Sequence, residues 1–228
     1  MSSKLKTRLI SGFTIGPLFS YGIIAGGWLF WLMMAVAIVI SAIEWTSLSR
    51  ATKRPILLSV SGLIYIIICY ESFISLRLNF DQGLYLTLAL LLSVWTSDIG
   101  AYACGKAIGG AKMIPSISPN KTWAGFIGAA ILSGLMMLGL YFLGFILREH
   151  LSANLYLPFS GAVVAFVLGG LITFSGQAGD LIVSMLKRRA GAKDSGTLIP
   201  GHGGLLDRID SLFMSSLFFY AAVKFLGL

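Results

Sequence analysis

Charge is what this chain has least of. Only 11% of its 228 residues are Asp, Glu, Lys or Arg, against roughly 25% in a typical soluble domain. A globule of this size needs polar groups to cover its surface, so a water-soluble fold is excluded and a bilayer is the natural solvent. Acids are the scarcer sign: 9 Asp and Glu stand against 17 Lys and Arg, for a net charge of +8. With no soluble domain to present a basic face, that excess points to anionic lipid headgroups and phosphates rather than to nucleic acid. Histidine occurs twice, at His150 and His202. His150 reads as a solvated loop residue, and no nucleophilic triad can be assembled. Cys69 and Cys104 lie in or beside apolar runs without ligand-like neighbours, which excludes a zinc spacing and leaves them as small core hydrophobes. A Walker-type glycine loop is also missing, because Gly105-Lys106 lacks the upstream glycine and the following Ser or Thr.

Apolar residues make up 57% of the chain. About 20 in a row suffice to span a bilayer. Seven stretches qualify: Leu9–Ala25, Gly27–Ile43, Pro55–Ser75, Gly83–Ala103, Thr122–Leu147, Pro158–Ser184 and Ile209–Leu228. The first two are parted only by Gly26 and Gly27, so they form a hairpin or one bent element. Basic residues before the first run resemble a signal peptide, but the apolar stretch continues far past signal-peptide length and reads as uncleaved spans. The sixth stretch is long and carries Gly169, Gly170, Gly176 and Gly179, which predict a kink or break or close helix packing.

With the N-terminus in the cytoplasm, fourteen of the 17 basic residues fall on that side: Lys4, Lys6, Arg8, Arg50, Lys53, Arg54, Lys106, Lys112, Lys121, Lys187, Arg188, Arg189, Lys193 and Arg208. Arg77 and Arg148 fall opposite, and Lys224 lies near the distal end. That bias supports the span count and the orientation. The sequence therefore predicts an all-α, polytopic integral membrane protein with about seven transmembrane helices and a cytoplasmic-face active site. It reads as a single domain over residues 1–228, with N-terminal spans in 1–90 and a motif-bearing half in 91–228.

Carboxylates at the edges of apolar spans are costly and mark function by default. Asp180 is one. On a helix it shares a polar stripe with Ser184, Lys187 and Arg188, although a snorkelling structural ion pair would look the same. Asp98, at the end of the fourth span, is another. Asp207 and Asp210 open the last span, where acids suit a helix N-terminus. Gly203 and Gly204 just before them, after His202, suggest a backbone in close approach to a ligand. Asn120 is a candidate helix N-cap. It would set Lys121 at a helix start, a common arrangement for phosphate. Hard carboxylates beside Lys, Arg and His on one face suggest Mg²⁺ and phosphates, hence phosphoryl or nucleotidyl transfer.

The run from Ser184 through Lys187-Arg188, Lys193-Asp194-Ser195-Gly196 and Pro200-Gly201-His202-Gly203-Gly204 to Asp207-Arg208-Ile209-Asp210 resembles the signature of the phosphatidate cytidylyltransferase (CDP-diacylglycerol synthase) family. Asp98-Ile99-Gly100-Ala101-Tyr102 resembles that family's Asp-x-x-Ala-Tyr element. Ser118-Pro119-Asn120-Lys121-Thr122 resembles its Ser-Pro-x-Lys-Thr element. Ala124 stands where many members have Glu or Gln and is given no role. The likeness is strong from about Asp98 onward and one of character only before it.

The resemblance implies a nucleotidyltransferase that joins CTP and phosphatidate into CDP-diacylglycerol and pyrophosphate. It also implies Mg²⁺, alone or with a second cation. Asp180 and Asp207 are then expected as metal ligands, with Asp98 as a nearby ligand or outer acid. Lys121, Lys187, Arg188, Lys193 and His202 are expected to hold phosphates. Asp194, Arg208 and Asp210 are expected to orient them, with Ser118, Asn120, Ser184, Gly203 and Gly204 lining the nucleotide site. Expected partners are CTP, phosphatidate and the bilayer, in the inner membrane if the source is bacterial, with a homodimer left open. Two rivals remain: a CTP-dependent enzyme on another lipid phosphate or on a polyprenol, and a small ion-coupled transporter using Asp98 and Asp180.

Overall fold

The protein was analysed as a computed structural model, which describes residues 16–151, 156–198 and 203–226. Among these, seven helices form: α1 (Gly16–Ala25), α2 (Gly27–Arg50), α3 (Pro55–Leu78), α4 (Gly83–Ala107), α5 (Trp123–Leu151), α6 (Ala162–Arg189) and α7 (Leu206–Phe225). Five of them, α2 to α6, are long and apolar enough to cross a membrane. Their outer faces carry large exposed apolar side chains such as Trp28, Ile56 and Val163, as expected where lipid replaces water. The all-α reading needs one amendment. Strands β1 (Lys112–Ile114) and β2 (Ser118–Thr122) form a small antiparallel hairpin between α4 and α5.

Two further expectations change. The sixth stretch runs as one uninterrupted helix, so its glycines do not break it. A Cβ on Gly169 would collide with the Ser133 carbonyl, and one on Gly176 would come within 2.8 Å of Ser215 Oγ. These glycines serve close packing. His150, expected in a loop, belongs to the last turn of α5. Lys4, Lys6, Arg8 and His202 lie outside the described residues.

The chain divides into two compact units, the first made of residues up to Tyr70 with Ile182–Asp210, the second of Glu71–Leu181 with Ser211–Leu228. In the first, α1 and α2 are separate helices. Gly26 and Gly27 both adopt positive φ (65° and 55°), a conformation that glycine reaches without steric cost. Helices α2 and α3 are joined by polar bonds inside an apolar contact. Ser41 Oγ lies 3.0 Å from Tyr70 Oη, and the buried Trp45 donates its indole N–H to the Leu58 carbonyl at 2.9 Å. The Trp45 ring lies over Gly62, where any Cβ would overlap it.

In the second unit, α4 and α5 approach through Gly100, Gly125 and Gly128. Ser133 Oγ donates to the Gly169 carbonyl at 2.8 Å, tying α5 to α6, and Ser215 Oγ donates to the Ile172 carbonyl at 3.0 Å, tying α6 to α7. Small residues and hydroxyls at helix contacts are the usual adhesive where apolar burial gives no preference over lipid.

Candidate active site

The first unit gathers its functional groups where α6 ends and α7 begins. Helix α6 stops in a left-handed turn: Gly191 has φ 68°, and the Ala192 N–H donates to the Lys187 carbonyl at 2.9 Å, a glycine C-terminal motif that turns the chain sharply. Lys187 is buried on the last turn. Its ammonium donates to Asp207 Oδ1 at 2.6 Å. Asp207 Oδ2 accepts from the Ser195 N–H at 2.7 Å, from Ser195 Oγ at 3.0 Å and from the Gly204 N–H at 3.0 Å. Burial pushes the Asp207 carboxyl up, but the Lys187 ammonium and the Ser195 and Gly204 amides outweigh it and hold the group below the usual carboxylate range. The bond back to Gly204, three residues upstream, ties the chain just ahead of α7 to the first turn of that helix.

One residue of this cluster escaped the sequence reading. Glu44, near the end of α2, accepts from the Leu205 N–H at 2.8 Å on Oε1, and from the Leu206 N–H at 2.9 Å and Ser195 Oγ at 2.8 Å on Oε2. The glycines are explained by these acids. A Cβ on Gly203, whose φ is 82°, would reach within 2.6 Å of Asp207 Oδ2, and one on Gly204 within 2.5 Å of both Glu44 oxygens. The close approach inferred from Gly203-Gly204 is therefore present, and its object is the protein's own carboxylates. Asp194 lies beside Gly203. Arg188, Lys193, Asp194 and Arg208 are exposed around the cluster, Ser184 is half-buried and Asp210 is buried. The signal for Glu44 was available, since it is a carboxylate at the edge of an apolar span, like Asp98 and Asp180.

The second unit carries the other group. Lys121 is ion-paired with Asp180 and donates to Gln177 Oε1 at 2.6 Å. Gln177 and Asp180 are three residues apart on α6, hence on one face. Gln177 was also missed, though that spacing was its signal. Lys121 is not at a helix start. It lies on β2, the same strand that carries Ser118 and Asn120, and Asn120 does not cap α5. The cap is Thr122, whose Oγ1 accepts the Gly125 N–H at 3.1 Å, the usual hydroxyl-to-N3 bond. A strand is favoured here because Thr122 pairs with Lys112 and Ser118 with Ile114.

Asp98, expected to end its span, is exposed inside α4, which continues to Ala107, and lines a cavity of about 10 Å³ with Ser97, Gln177, Ser211 and Ser215. That is room for one water or one ion, and the polar donors there are oxygen-rich. Among the described residues no group of three or more His, Cys, Asp or Glu could by itself hold a metal ion. A hard cation would then draw remaining ligands from phosphate oxygens and water, which is how Mg²⁺ is commonly bound. The donor chemistry fits such an ion. Each proposed metal acid, Asp180 and Asp207, already faces one positive charge, a lysine ammonium.

Known proteins resemble this chain over most of its length. The chain is 35% identical over 214 residues to a protein of Rickettsia bellii (strain RML369-C) named phosphatidate cytidylyltransferase, covering 94% of this chain and 88% of that one. It is 39% identical over 158 residues to the Bacillus subtilis (strain 168) protein of the same name, covering 69% of this chain and 54% of the relative. A Brucella suis biovar 1 (strain 1330) protein, again so named, is 40% identical over 163 residues, 70% of this chain and 54% of its own. The family model described as the cytidylyltransferase family matches residues 49–226, a stretch that holds all the lysine and aspartate pairs above, and the chain belongs to the cytidylyltransferase family.

Proposed function

We propose that this protein transfers CMP from CTP to phosphatidate, giving CDP-diacylglycerol and pyrophosphate at the cytoplasmic face of a membrane crossed by about seven helices. The observation that carries the reading is the pair of lysine–carboxylate contacts, Lys121–Asp180 and Lys187–Asp207, on segments resembling the family signature. A phosphate oxygen of phosphatidate attacks the α-phosphorus of CTP, and the bond to the β-phosphate oxygen breaks to release pyrophosphate. The attacking phosphate is already an anion near neutral pH. What the protein must supply is positioning of two polyanions and stabilisation of the charge on the leaving group.

Lys121 and Lys187 supply ammonium groups for phosphate oxygens, helped by the exposed Arg188, Lys193 and Arg208. Asp180 and Asp207, with Asp98 near or in the ligand set, would hold Mg²⁺, which when bound neutralises phosphate charge. Ser118, Asn120 and Ser184 contact the nucleotide in this reading, His202 the phosphates, and Asp194 and Asp210 orient the basic groups. The exposed apolar helix faces let the acyl chains of phosphatidate remain in the bilayer.

The test is turnover of labelled CTP by protein reconstituted in vesicles. Stoichiometric CDP-diacylglycerol and pyrophosphate are expected with phosphatidate. Release of CDP with a phosphorylated lipid would replace this reading with a kinase, and absence of nucleotide turnover would sink it. Asp180→Asn and Asp207→Asn should each cut pyrophosphate release at least a hundredfold. Near-wild-type rates at low Mg²⁺ would remove these two acids from the metal site.

A further inference from the structure

Glu44 is placed far from the signature in sequence and against it in space. It is 7% exposed, and its three donors, Ser195, Leu205 and Leu206, are 151 to 162 residues away. Gly196 and Gly204 both bring the loop backbone onto it, since a Cβ at either would lie within 3 Å of its carboxylate. Two of its donors are the first backbone N–H groups of α7 and the residue before it, groups no helical carbonyl can satisfy. Helix N-termini attract anions, and here the anion is part of the protein. Glu44 also shares Ser195 with Asp207: the single hydroxyl hydrogen lies between Glu44 Oε2 at 2.8 Å and Asp207 Oδ2 at 3.0 Å.

We infer that Glu44 is a positioning residue for the reaction: it holds the start of α7 and the Ser195 turn so that Asp207 and Lys187 keep their mutual geometry. This rests on the function proposed above. Glu44 touches no reacting atom in this scheme. It acts through Ser195 and the two leucine amides, and a carboxylate is required because three donors converge on its two oxygens. An amide in its place turns one acceptor into a donor that would face a backbone N–H or the Ser195 hydroxyl.

The experiment uses full-length protein in vesicles with CTP and phosphatidate, comparing Glu44→Gln, Glu44→Asp and Glu44→Ala with Ser195→Ala. Glu44→Gln should lower kcat/KM for CTP at least tenfold and leave KM for phosphatidate within twofold. Glu44→Asp, which keeps the charge, should recover part of the loss. The double variant Glu44→Gln/Ser195→Ala should lose less than the two single losses combined, because residues in one hydrogen-bond network are not additive. Hydrogen exchange at Leu205 and Leu206 should accelerate in Glu44→Gln, and this readout also serves Glu44→Ala if that variant is too unstable to assay. Wild-type kcat/KM in Glu44→Gln would overturn the inference. So would a loss that tracks only the fraction of folded protein, or additive losses in the double variant. A wild-type protein inert toward CTP would fail the proposed function instead.

Discussion

The Lys187–Asp207 side chains are 10% and 7% exposed, and the Asp207 carboxylate accepts two backbone N–H groups and a hydroxyl besides the ammonium. The Lys121–Asp180 side chains are 19% and 25% exposed, and the Lys121 ammonium meets the side chains of Asp180 and Gln177. The same two chemical groups are thus set in different mounts. Asp207 is fixed by the backbone it organises, and removing it strands buried donors. Lys121 stands on a short hairpin with its ammonium on side-chain oxygens. In the reaction proposed above, the Lys187–Asp207 pair would keep its shape, whereas Lys121 would turn to an arriving phosphate.

The largest effect should come from breaking the fixed mount. Asp207→Ala leaves the Lys187 charge and two amides without their carboxylate, while the Ser195 hydroxyl keeps Glu44, and losing one partner of a buried pair costs about 3–5 kcal/mol. Thermal unfolding in detergent should show it as a drop of many degrees. The pH dependence has a definite sign. Because the folded Asp207 carboxyl lies below its ordinary value, its contribution is complete above the unfolded carboxylate pKa of about 3.9. It is lost as pH falls through the lower folded value. Wild type should therefore lose more stability than Asp207→Asn on going from neutral pH to below about pH 4.

Next in size is Gly204→Ala. The added methyl would overlap Ser195 Oγ and lie within 2.5 Å of the Glu44 oxygens, so the loop must open, at a cost of about 1–3 kcal/mol as in other overpacked sites. Gly170→Ala is the control. Its methyl would meet only the Ala130 carbonyl, at 4.0 Å, and stability should stay within about 0.5 kcal/mol.

Thr122→Ala tests how the hairpin hands Lys121 to α5. Losing the cap should cost about 1 kcal/mol, read by the same unfolding assay. The smallest stability change belongs to Lys121→Met. This pair is more exposed than Lys187–Asp207 and should contribute less to stability, yet CTP turnover should fall at least a hundredfold. A stability loss as large as that of Asp207→Ala would erase the contrast between the two mounts.

Most of the helical frame was legible because apolar runs and span length are local properties. Pro55, Gly83 and Gly27 even marked helix starts correctly. The polar stripe on α6 was legible for the same reason, since 3.6-residue periodicity puts Asp180, Ser184, Lys187 and Arg188 near one face. The hairpin was not. Ser118 to Thr122 reads like a capped helix start, and only the pairing with Lys112 and Ile114 decides for a strand. The identity of the partners was hidden too. Gly203 and Gly204 announced a close approach, but only tertiary structure shows that what approaches includes Glu44, 159 and 160 residues earlier in the chain.

Trp45 gives the Glu44 anchor an optical handle. The chain has five tryptophans; Trp28, Trp31, Trp95 and Trp123 are all at least 45% exposed, and Trp45 is 5% exposed. Brominated acyl chains quench indoles they can touch, so in such vesicles the surviving emission should come chiefly from the residue next to Glu44. The native protein then reports on its own loop anchor without a label, and residual emission that stays constant on adding nucleotide would show that the anchor keeps its place.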